Sequence, residues 1–162
     1  MHRPIATGLL GGAVLVLAAC TSGKNRMTPE LADFGTRYAA AWSSQDPAQL
    51  ASFYADNGSL IVNGGPPATG RAAIAAKAQS FMAAFPDMVV RLERMDRHGN
   101  HPVFHWLWTG TNSGPGGTGK FVRISGYEEW TMDRNGLIAK SDGHYDEAEY
   151  QRQVNVGAPP LP

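Results

Sequence analysis

The chain has 162 residues, with 14 basic and 14 acidic side chains, and 43% of its residues are hydrophobic. This composition is typical of a globular protein and excludes a disordered or fibrous chain. The balanced charge lacks the basic excess of a nucleic-acid-binding protein, so we expect no nucleic-acid partner.

The first residues have the features of a secretory leader. Arg3 supplies a basic start, and the apolar run from Ile5 to Ala19 is shorter than the roughly 20 residues of a membrane span. The run ends in Leu-Ala-Ala-Cys, which resembles a bacterial lipobox and implies cleavage before Cys20 and lipidation of its thiol. We therefore predict a signal peptide over residues 1–19 and a lipidated tether over residues 20–27.

This leader predicts an exported protein that is anchored in the cell envelope through the lipid on Cys20. By resemblance to the sorting rules of Gram-negative bacteria, the domain would face the periplasm from the outer membrane. Cys20 is also the only cysteine, so no disulfide can form within the chain.

Three helices are predicted in the first half of the chain. Thr28-Pro29-Glu30 has the chemistry of a helix start, and an apolar stripe follows to about Ser44. Asp46-Pro47 begins a second helix that carries Tyr54 on its buried side. After a short strand at residues 59–63, an Ala-rich helix runs from Arg71 until Pro86 ends it.

The second half of the chain predicts strands. Residues 87–95 alternate as a half-buried strand does, and residues 102–146 hold three aromatic and β-branched runs separated by turn residues. These runs predict an antiparallel meander, followed by a short helix from Asp146 and a disordered tail over residues 157–162. Helices followed by a sheet of this kind indicate an α+β fold.

Several short motifs occur in a fixed order along the chain. They are Ala68-Thr69-Gly70-Arg71, Phe85-Pro86-Asp87-Met88, Trp108-Thr109-Gly110-Thr111-Asn112, Thr118-Gly119-Lys120, and the stretch from Tyr145-Asp146 to Gln153. Together they resemble the SnoaL-like polyketide cyclases, or ester cyclases, of the nuclear-transport-factor-2-like superfamily. The resemblance covers residues 28–154, and we predict a SnoaL-like domain over residues 28–156. It implies a cone-shaped α+β barrel, with three N-terminal helices packed on a strongly curved, mixed, mainly antiparallel sheet.

Aromatic residues are too numerous to be surface residues, and most of them are expected in the core. A curved sheet that carries Trp and Tyr beside a few polar groups is also typical of a small-molecule pocket. We assign four aromatic residues as ligand-binding: Trp42, Tyr54, Trp106 and Trp108. His101 and His105 would lie about 13 Å apart on an extended strand, too far to share a metal, and we expect neither a metal nor a cofactor.

The hairpin turn near Asn135 decides which carboxylates of the meander share a face, because neighbouring strand residues point to opposite sides. A two-residue turn at Asn135-Gly136 would gather a polar cluster on one face, pairing Glu129 with Asp142 and Tyr127 with His144. A three-residue turn at residues 134–136 with a glycine bulge would shift this pairing by one residue. The face then shared would comprise Tyr127, Glu129, Ser141, Gly143 and Tyr145.

The resemblance favours the three-residue turn and implies that Glu129 faces the interior of the cone. It also implies a catalytic aspartate three residues before the position matched by Asp146, where this chain has Gly143. Glu129 could replace it as the proton carrier, because burial in an apolar cavity raises a carboxyl pKa. The catalytic candidates are therefore Glu129, Tyr127, Tyr145, Asp142 and His144. The alternative is that these charges are solvated or paired on the outer face of the sheet.

We therefore predict a SnoaL-like domain that acts on, or binds, a small hydrophobic carbonyl compound in an aromatic-lined cavity. Any reaction would be acid–base chemistry of the cyclase or isomerase kind, without metal or nucleotide. The alternative is a non-catalytic lipoprotein that binds a small ligand or forms a homodimer through the outer face of the sheet.

Overall fold

The computed structural model describes residues 28–160, and its first helix begins with a proline directly after the N-cap residue. Helix α1, Pro29–Ser43, starts where the Thr28 hydroxyl accepts a hydrogen bond from the Leu31 amide at 3.3 Å. Such a cap satisfies one of the amide groups that the first turn of a helix leaves without a partner. The predicted first helix is therefore present with nearly the predicted limits.

The second helix is shorter than predicted. Helix α2, Pro47–Ala51, begins at the predicted cap, where Asp46 accepts hydrogen bonds from the next two free amides. Strand β1, Tyr54–Val62, starts only three residues later, because the chain already pairs with a neighbouring strand through Ile138. Tyr54 is therefore a strand residue, and its prediction as a helical residue was wrong.

The described residues contain five further strands and two further helices. These are β2 Ala68–Thr69, α3 Arg71–Ala84, β3 Val89–His98, β4 His101–Thr111, β5 Phe121–Met132, β6 Ile138–Tyr145 and α4 Glu147–Val156. The six strands form one sheet in the order β2-β1-β6-β5-β4-β3, in which β1 and β6 are parallel and the other neighbours antiparallel. The predicted α+β class and the mixed, mainly antiparallel sheet are confirmed, although the sheet does not close into a barrel.

The core lies between the helices and one face of this sheet. Along β5, Val122, Ile124, Glu128 and Trp130 are buried and the odd-numbered residues are more exposed, which is the period-two pattern of a half-buried strand. The Trp130 ring stacks on Phe104 with a centroid distance of 5.2 Å and meets Tyr38 of α1 edge-on at 5.0 Å. Burial of these large rings is the main favourable contribution to folding at this end of the sheet.

The hairpin between β5 and β6 combines the predicted turn with a second irregularity. The Asp133 amide donates to the Leu137 carbonyl at 2.8 Å, and Gly136 has a φ of +76°, so the turn is the predicted three-residue turn with a glycine bulge. A further shift then leaves Ala139 unpaired, because Met132 pairs with Ile138 whereas the next pair is Thr131 with Lys140. The second bulge cancels the first. Beyond it, Glu129 pairs with Asp142, which is the register of the two-residue alternative.

Helix α4 attaches to the edge of β5 that β6 does not reach. The buried Gln153 side chain accepts a hydrogen bond from the Arg123 amide at 2.7 Å and donates one to the Arg123 carbonyl at 3.0 Å. The following residues continue along this edge, where Ala158 donates to Phe121 at 2.7 Å. The predicted disordered tail over residues 157–162 stays a prediction, although Ala158 is bound to the edge of β5.

We expect Gln153→Leu to lower the free energy of unfolding by about 2 kcal/mol, because it leaves an amide and a carbonyl of β5 buried without partners. Urea denaturation measures this change. Gln151→Leu is the matched control, since Gln151 is exposed and bonds to α4 itself. Equal losses in the two variants would show that the amide of Gln153 does not stabilise the strand edge.

The predicted signal peptide, the tether and the lipidated Cys20 lie outside the described residues and stay predictions. Within residues 28–160, no helix has both the length and the hydrophobicity needed to span a membrane.

Candidate functional site

Side chains from α1, α3 and the inner face of the sheet enclose a cavity of about 60 Å³. Five of its lining residues are aromatic: Trp42, Phe81, Trp106, Trp108 and Tyr145. The half-buried residues Val62, Phe81, Val90 and Tyr145 mark the side where the cavity approaches solvent. Among the lining residues, Glu128 is the only carboxylic acid, and none is basic.

Glu128 occupies an inward position on β5 and is 6% exposed. Its Oε2 accepts three hydrogen bonds, from Ser141 Oγ at 2.6 Å, Tyr38 Oη at 2.9 Å and Trp130 Nε1 at 3.1 Å. These donors come from β6, from α1 and from β5 itself. One carboxylate oxygen is therefore fixed by three elements of the fold.

The other oxygen of Glu128 has a different environment. Within residues 28–160, no hydrogen-bond donor contacts Oε1, and Oε1 is not among the fully buried polar atoms that lack a partner. Since Glu128 also lines the cavity, Oε1 is the oxygen that a molecule in the cavity can reach. The carboxyl group thus has one bound oxygen and one available oxygen.

Two opposing effects act on the pKa of Glu128. Burial raises the pKa above its ordinary value, because the charged form loses its hydration, and the hydrogen bonds from Ser141, Trp130 and Tyr38 lower it in part. Burial is the larger effect. A carboxyl group whose pKa is raised in this way can gain and lose a proton nearer to neutral pH, as a general acid or base must.

Two tyrosines stand behind this carboxyl group. Tyr38 and Tyr54 are fully buried, and their hydroxyl oxygens lie 2.6 Å apart. Burial raises the pKa of each phenol well above 10, and the nearby Glu128 carboxylate raises it further. Both hydroxyls therefore stay protonated and act as hydrogen-bond donors at any physiological pH.

Trp106 forms a wall of the cavity because β5 has no side chain beneath it. A β-carbon built on Gly126 would lie within 2.6 Å of Cη2 of the Trp106 ring. Within the described chain, the indole N–H groups of Trp106 and Trp108 have no hydrogen-bond partner. Both N–H groups are buried.

The structure separates the predicted ligand-binding residues into two groups. Trp42, Trp106 and Trp108 line the cavity, and their binding role stays a prediction. Tyr54 does not line it, because its hydroxyl is directed to Tyr38 behind Glu128. Of the predicted catalytic residues, Tyr145 lines the cavity.

The prediction that Glu129 faces the interior was wrong. Its side chain is 35% exposed and bonds to His98 at 3.0 Å on the outer face of the sheet. Three more predicted catalytic residues share this face, where the rings of Tyr127 and His144 lie 5.0 Å apart and His144 Nε2 lies 3.3 Å from Asp142 Oδ1. The bulge at Ala139 explains the wrong pairing, since the extra residue in β6 places Glu128, rather than Glu129, on the face of Ser141 and Gly143.

Glu128, which was not among the predicted catalytic residues, lies directly opposite Gly143 in the sheet. A β-carbon on Gly143 would lie 3.5 Å from Cγ of Glu128. The chain therefore has a carboxylate beside the position where the resemblance implies an aspartate, on the neighbouring strand. The sequence did contain a signal for it, because Glu128 has the same parity along β5 as Val122, Ile124 and Trp130.

Chemically, the arrangement combines one buried carboxyl group with an apolar, aromatic enclosure. When protonated, Glu128 can donate a hydrogen bond to a carbonyl oxygen, and when ionised it can accept a proton or face a cation. Exclusion of water by the surrounding rings strengthens either interaction.

Comparisons with known proteins agree with this fold. The model of the SnoaL-like domain family matches residues 36–141. A solved protein of ketosteroid isomerase-like fold from Catenulispora acidiphila, in complex with trimethylamine, is 22% identical, with a TM-score of 0.67 over 79% of this chain and 94% of its own. A protein described as a SnoaL-like polyketide cyclase, from Jannaschia, is 17% identical, with a TM-score of 0.64 over 83% and 99%. No curated protein matches the sequence.

Proposed function

Because the chain belongs to the SnoaL-like domain family, we propose that it binds a small apolar carbonyl compound in the cavity and exchanges a proton with it through Glu128. The observation that carries this proposal is that Glu128, a buried carboxyl group whose Oε1 has no donor among residues 28–160, lines the cavity.

The proton exchange would proceed in two steps, first from the ligand to Glu128 and then from Glu128 back to the ligand. The ionised Oε1 accepts a proton from the carbon next to the carbonyl group, the electron pair of that C–H bond forms the double bond of an enolate, and the carbonyl π electrons move to oxygen. The same proton then returns from Oε1 to another atom of the ligand. This is the acid–base chemistry of an isomerase or a cyclase, and it needs no redox partner.

The size of the cavity restricts the ligand. A volume of about 60 Å³ is several times the space that one water molecule needs. It favours a molecule with few heavy atoms over a polycyclic one. We therefore place the substrate among small ketones, enones and esters.

A second candidate is a small alkylammonium cation. Five aromatic rings around one carboxylate are the groups that bind such cations through their π faces and through charge. The similar Catenulispora structure contains trimethylamine. The raised pKa of Glu128 favours the neutral ligand, because a cation requires the ionised carboxylate.

The pH dependence of binding distinguishes the two candidates. We expect cyclopentanone, a neutral acceptor, to bind protonated Glu128 most tightly and to lose affinity as the pH rises through the pKa of Glu128. Tetramethylammonium would show the opposite trend, since it needs the ionised form. Titrations followed by the indole ¹H–¹⁵N resonances of Trp106 and Trp108 measure both affinities.

Glu128→Gln serves as the control in these titrations, because it keeps the shape of the side chain and cannot titrate. The pH dependence of either affinity should disappear in this variant. If neither probe shifts the resonances of the two tryptophans at any pH, the proposed function is wrong.

A further inference from the structure

The tyrosine hydroxyl groups behind Glu128 form a chain of hydrogen bonds that all donate towards the carboxylate. A tyrosine has a single O–H, and Tyr38 donates its proton to Oε2 of Glu128 at 2.9 Å. In the 2.6 Å contact between the two phenols, Tyr54 must therefore be the donor and Tyr38 the acceptor. The order of donation is Tyr54 to Tyr38 to Glu128, and hydrogen bonds aligned in this way strengthen one another.

The same geometry determines which oxygen of Glu128 can carry a proton. A carboxylate oxygen offers about two lone-pair directions, and Oε2 already accepts hydrogen bonds from Tyr38, Ser141 and Trp130. A proton on Oε2 would displace at least one of these donors and leave it buried without a partner. Oε1 has no such donors, so a proton there costs no hydrogen bond.

We propose that Tyr38, Tyr54 and Ser141 are positioning residues that hold Oε2 of Glu128 as a permanent acceptor and so confine proton exchange to Oε1. The inference rests on the proposed function in one respect, which is that a cavity ligand exchanges a proton with Glu128. In this arrangement the proton is always presented to the cavity and never to the protein interior. Tyr54 acts through Tyr38, since it has no direct hydrogen bond to the carboxyl group.

The groups that can influence Glu128 are few. From α1 it faces Tyr38, from β1 Tyr54, from β6 Ser141, and from its own strand Trp130. On the cavity side, Tyr145 is the other titratable group of the lining. The nearby acids Glu129 and Asp142 point to the opposite face of the sheet, where they bond to histidines. The groups that oppose the effect of burial on this pKa are thus the Ser141 hydroxyl, the Trp130 indole N–H and the Tyr38 hydroxyl, each of which donates to the carboxylate.

Carboxyl ¹³C NMR of the ligand-free protein, labelled at glutamate Cδ, tests the proposal directly. The resonance that disappears in Glu128→Gln is assigned to Glu128, and its titration gives the pKa. We expect Tyr38→Phe and Ser141→Ala each to shift this pKa upwards, because each removes a donor to the charged form. Tyr54→Phe should shift it upwards by less, and Tyr127→Phe, on the outer face, should not shift it.

Infrared difference spectra identify the protonated oxygen. With the proton on Oε1, the C=O group of Glu128 ends in Oε2, and loss of the Ser141 hydroxyl should move its stretching band to higher frequency. With the proton on Oε2, the C=O group would end in the unbonded Oε1 and the band would stay in place in Ser141→Ala. That second result would overturn the proposal.

Two further outcomes are decisive. An unchanged pKa of Glu128 in both Tyr38→Phe and Tyr54→Phe would remove the tyrosines from the positioning role, and if Tyr38→Phe fails to fold, Tyr54→Phe alone decides. Since these measurements need no ligand, they are independent of the titrations with cyclopentanone. Upward shifts without any carbonyl binding would support the positioning chain and contradict the proposed function.

Discussion

Glu128→Gln is expected to lower turnover of a small carbonyl substrate by at least about 100-fold, whereas Glu129→Gln is expected to leave it unchanged. The two residues are neighbours in the sequence, but Glu128 borders the cavity and Glu129 bonds to His98 on the outer face. A glutamine keeps the size and the acceptor oxygen of the side chain and cannot transfer a proton. Steady-state kinetics of both variants with the same substrate measure the difference.

The stability of these variants gives a second readout that needs no substrate. Burial raises the pKa of Glu128 above 4.5, so folding disfavours the ionised form. The stability that protonated Glu128 provides is complete below the pKa of the unfolded state and is lost as the pH rises through the pKa of the folded state. The melting temperature of Glu128→Gln relative to the wild type should therefore increase as the pH rises above 4.5.

A flat difference in melting temperature across this pH range would mean that the pKa of Glu128 is the same in the folded and unfolded states. Equal losses of turnover in the two glutamine variants would contradict the assignment of Glu128, because only one of the two side chains borders the cavity.

Gly126→Ala is expected to lower the free energy of unfolding by about 3 kcal/mol and to remove binding in the cavity. A β-carbon at this position would lie 2.5 Å from the carbonyl oxygen of His144 and about as close to the ring of Trp106. The carbonyl belongs to a paired strand and cannot move away, so Trp106 must leave its place in the wall. Urea denaturation and the indole resonance of Trp106 measure the two effects.

Ser125→Ala is the matched control for this variant. Ser125 precedes Gly126 on β5 and points to the exposed face, so its hydroxyl is not part of the cavity wall. We expect little change in stability or in the Trp106 resonance. A Gly126→Ala protein with wild-type stability would show that the sheet accommodates the methyl group and that the glycine is not required for the wall.

Much of the secondary structure could be predicted because its signals are local. Thr28 and Asp46 cap helices whose first residue is a proline, and these short-range hydrogen bonds form whatever the rest of the chain does. The meander followed from alternating aromatic and β-branched residues between turns. The end of the second helix was missed, because pairing of the chain at Tyr54 with Ile138 is a long-range contact that local propensity does not contain.

The side-chain pairing at the candidate site depended on irregularities of the sheet that are not local to the site. Two bulges, at Gly136 and at Ala139, act in succession on the hairpin between β5 and β6. The first is visible in the sequence as an Asn-Gly turn, but alanine has no special backbone preference that would identify the second. Ala139 is bulged where β6 also pairs with β1 on its other side, so the position of the bulge is a property of the whole sheet.

By itself, the sequence determined that this chain forms capped helices and a mainly antiparallel sheet, and that at most one of Glu128 and Glu129 could face the interior. The parity of β5 already favoured Glu128, but only the tertiary structure decided its partners, with Tyr38, Tyr54 and Ser141 behind it. The physical reason is the period of two along a strand. Because neighbouring side chains point to opposite faces, one unpaired residue in the next strand changes which partners each face receives.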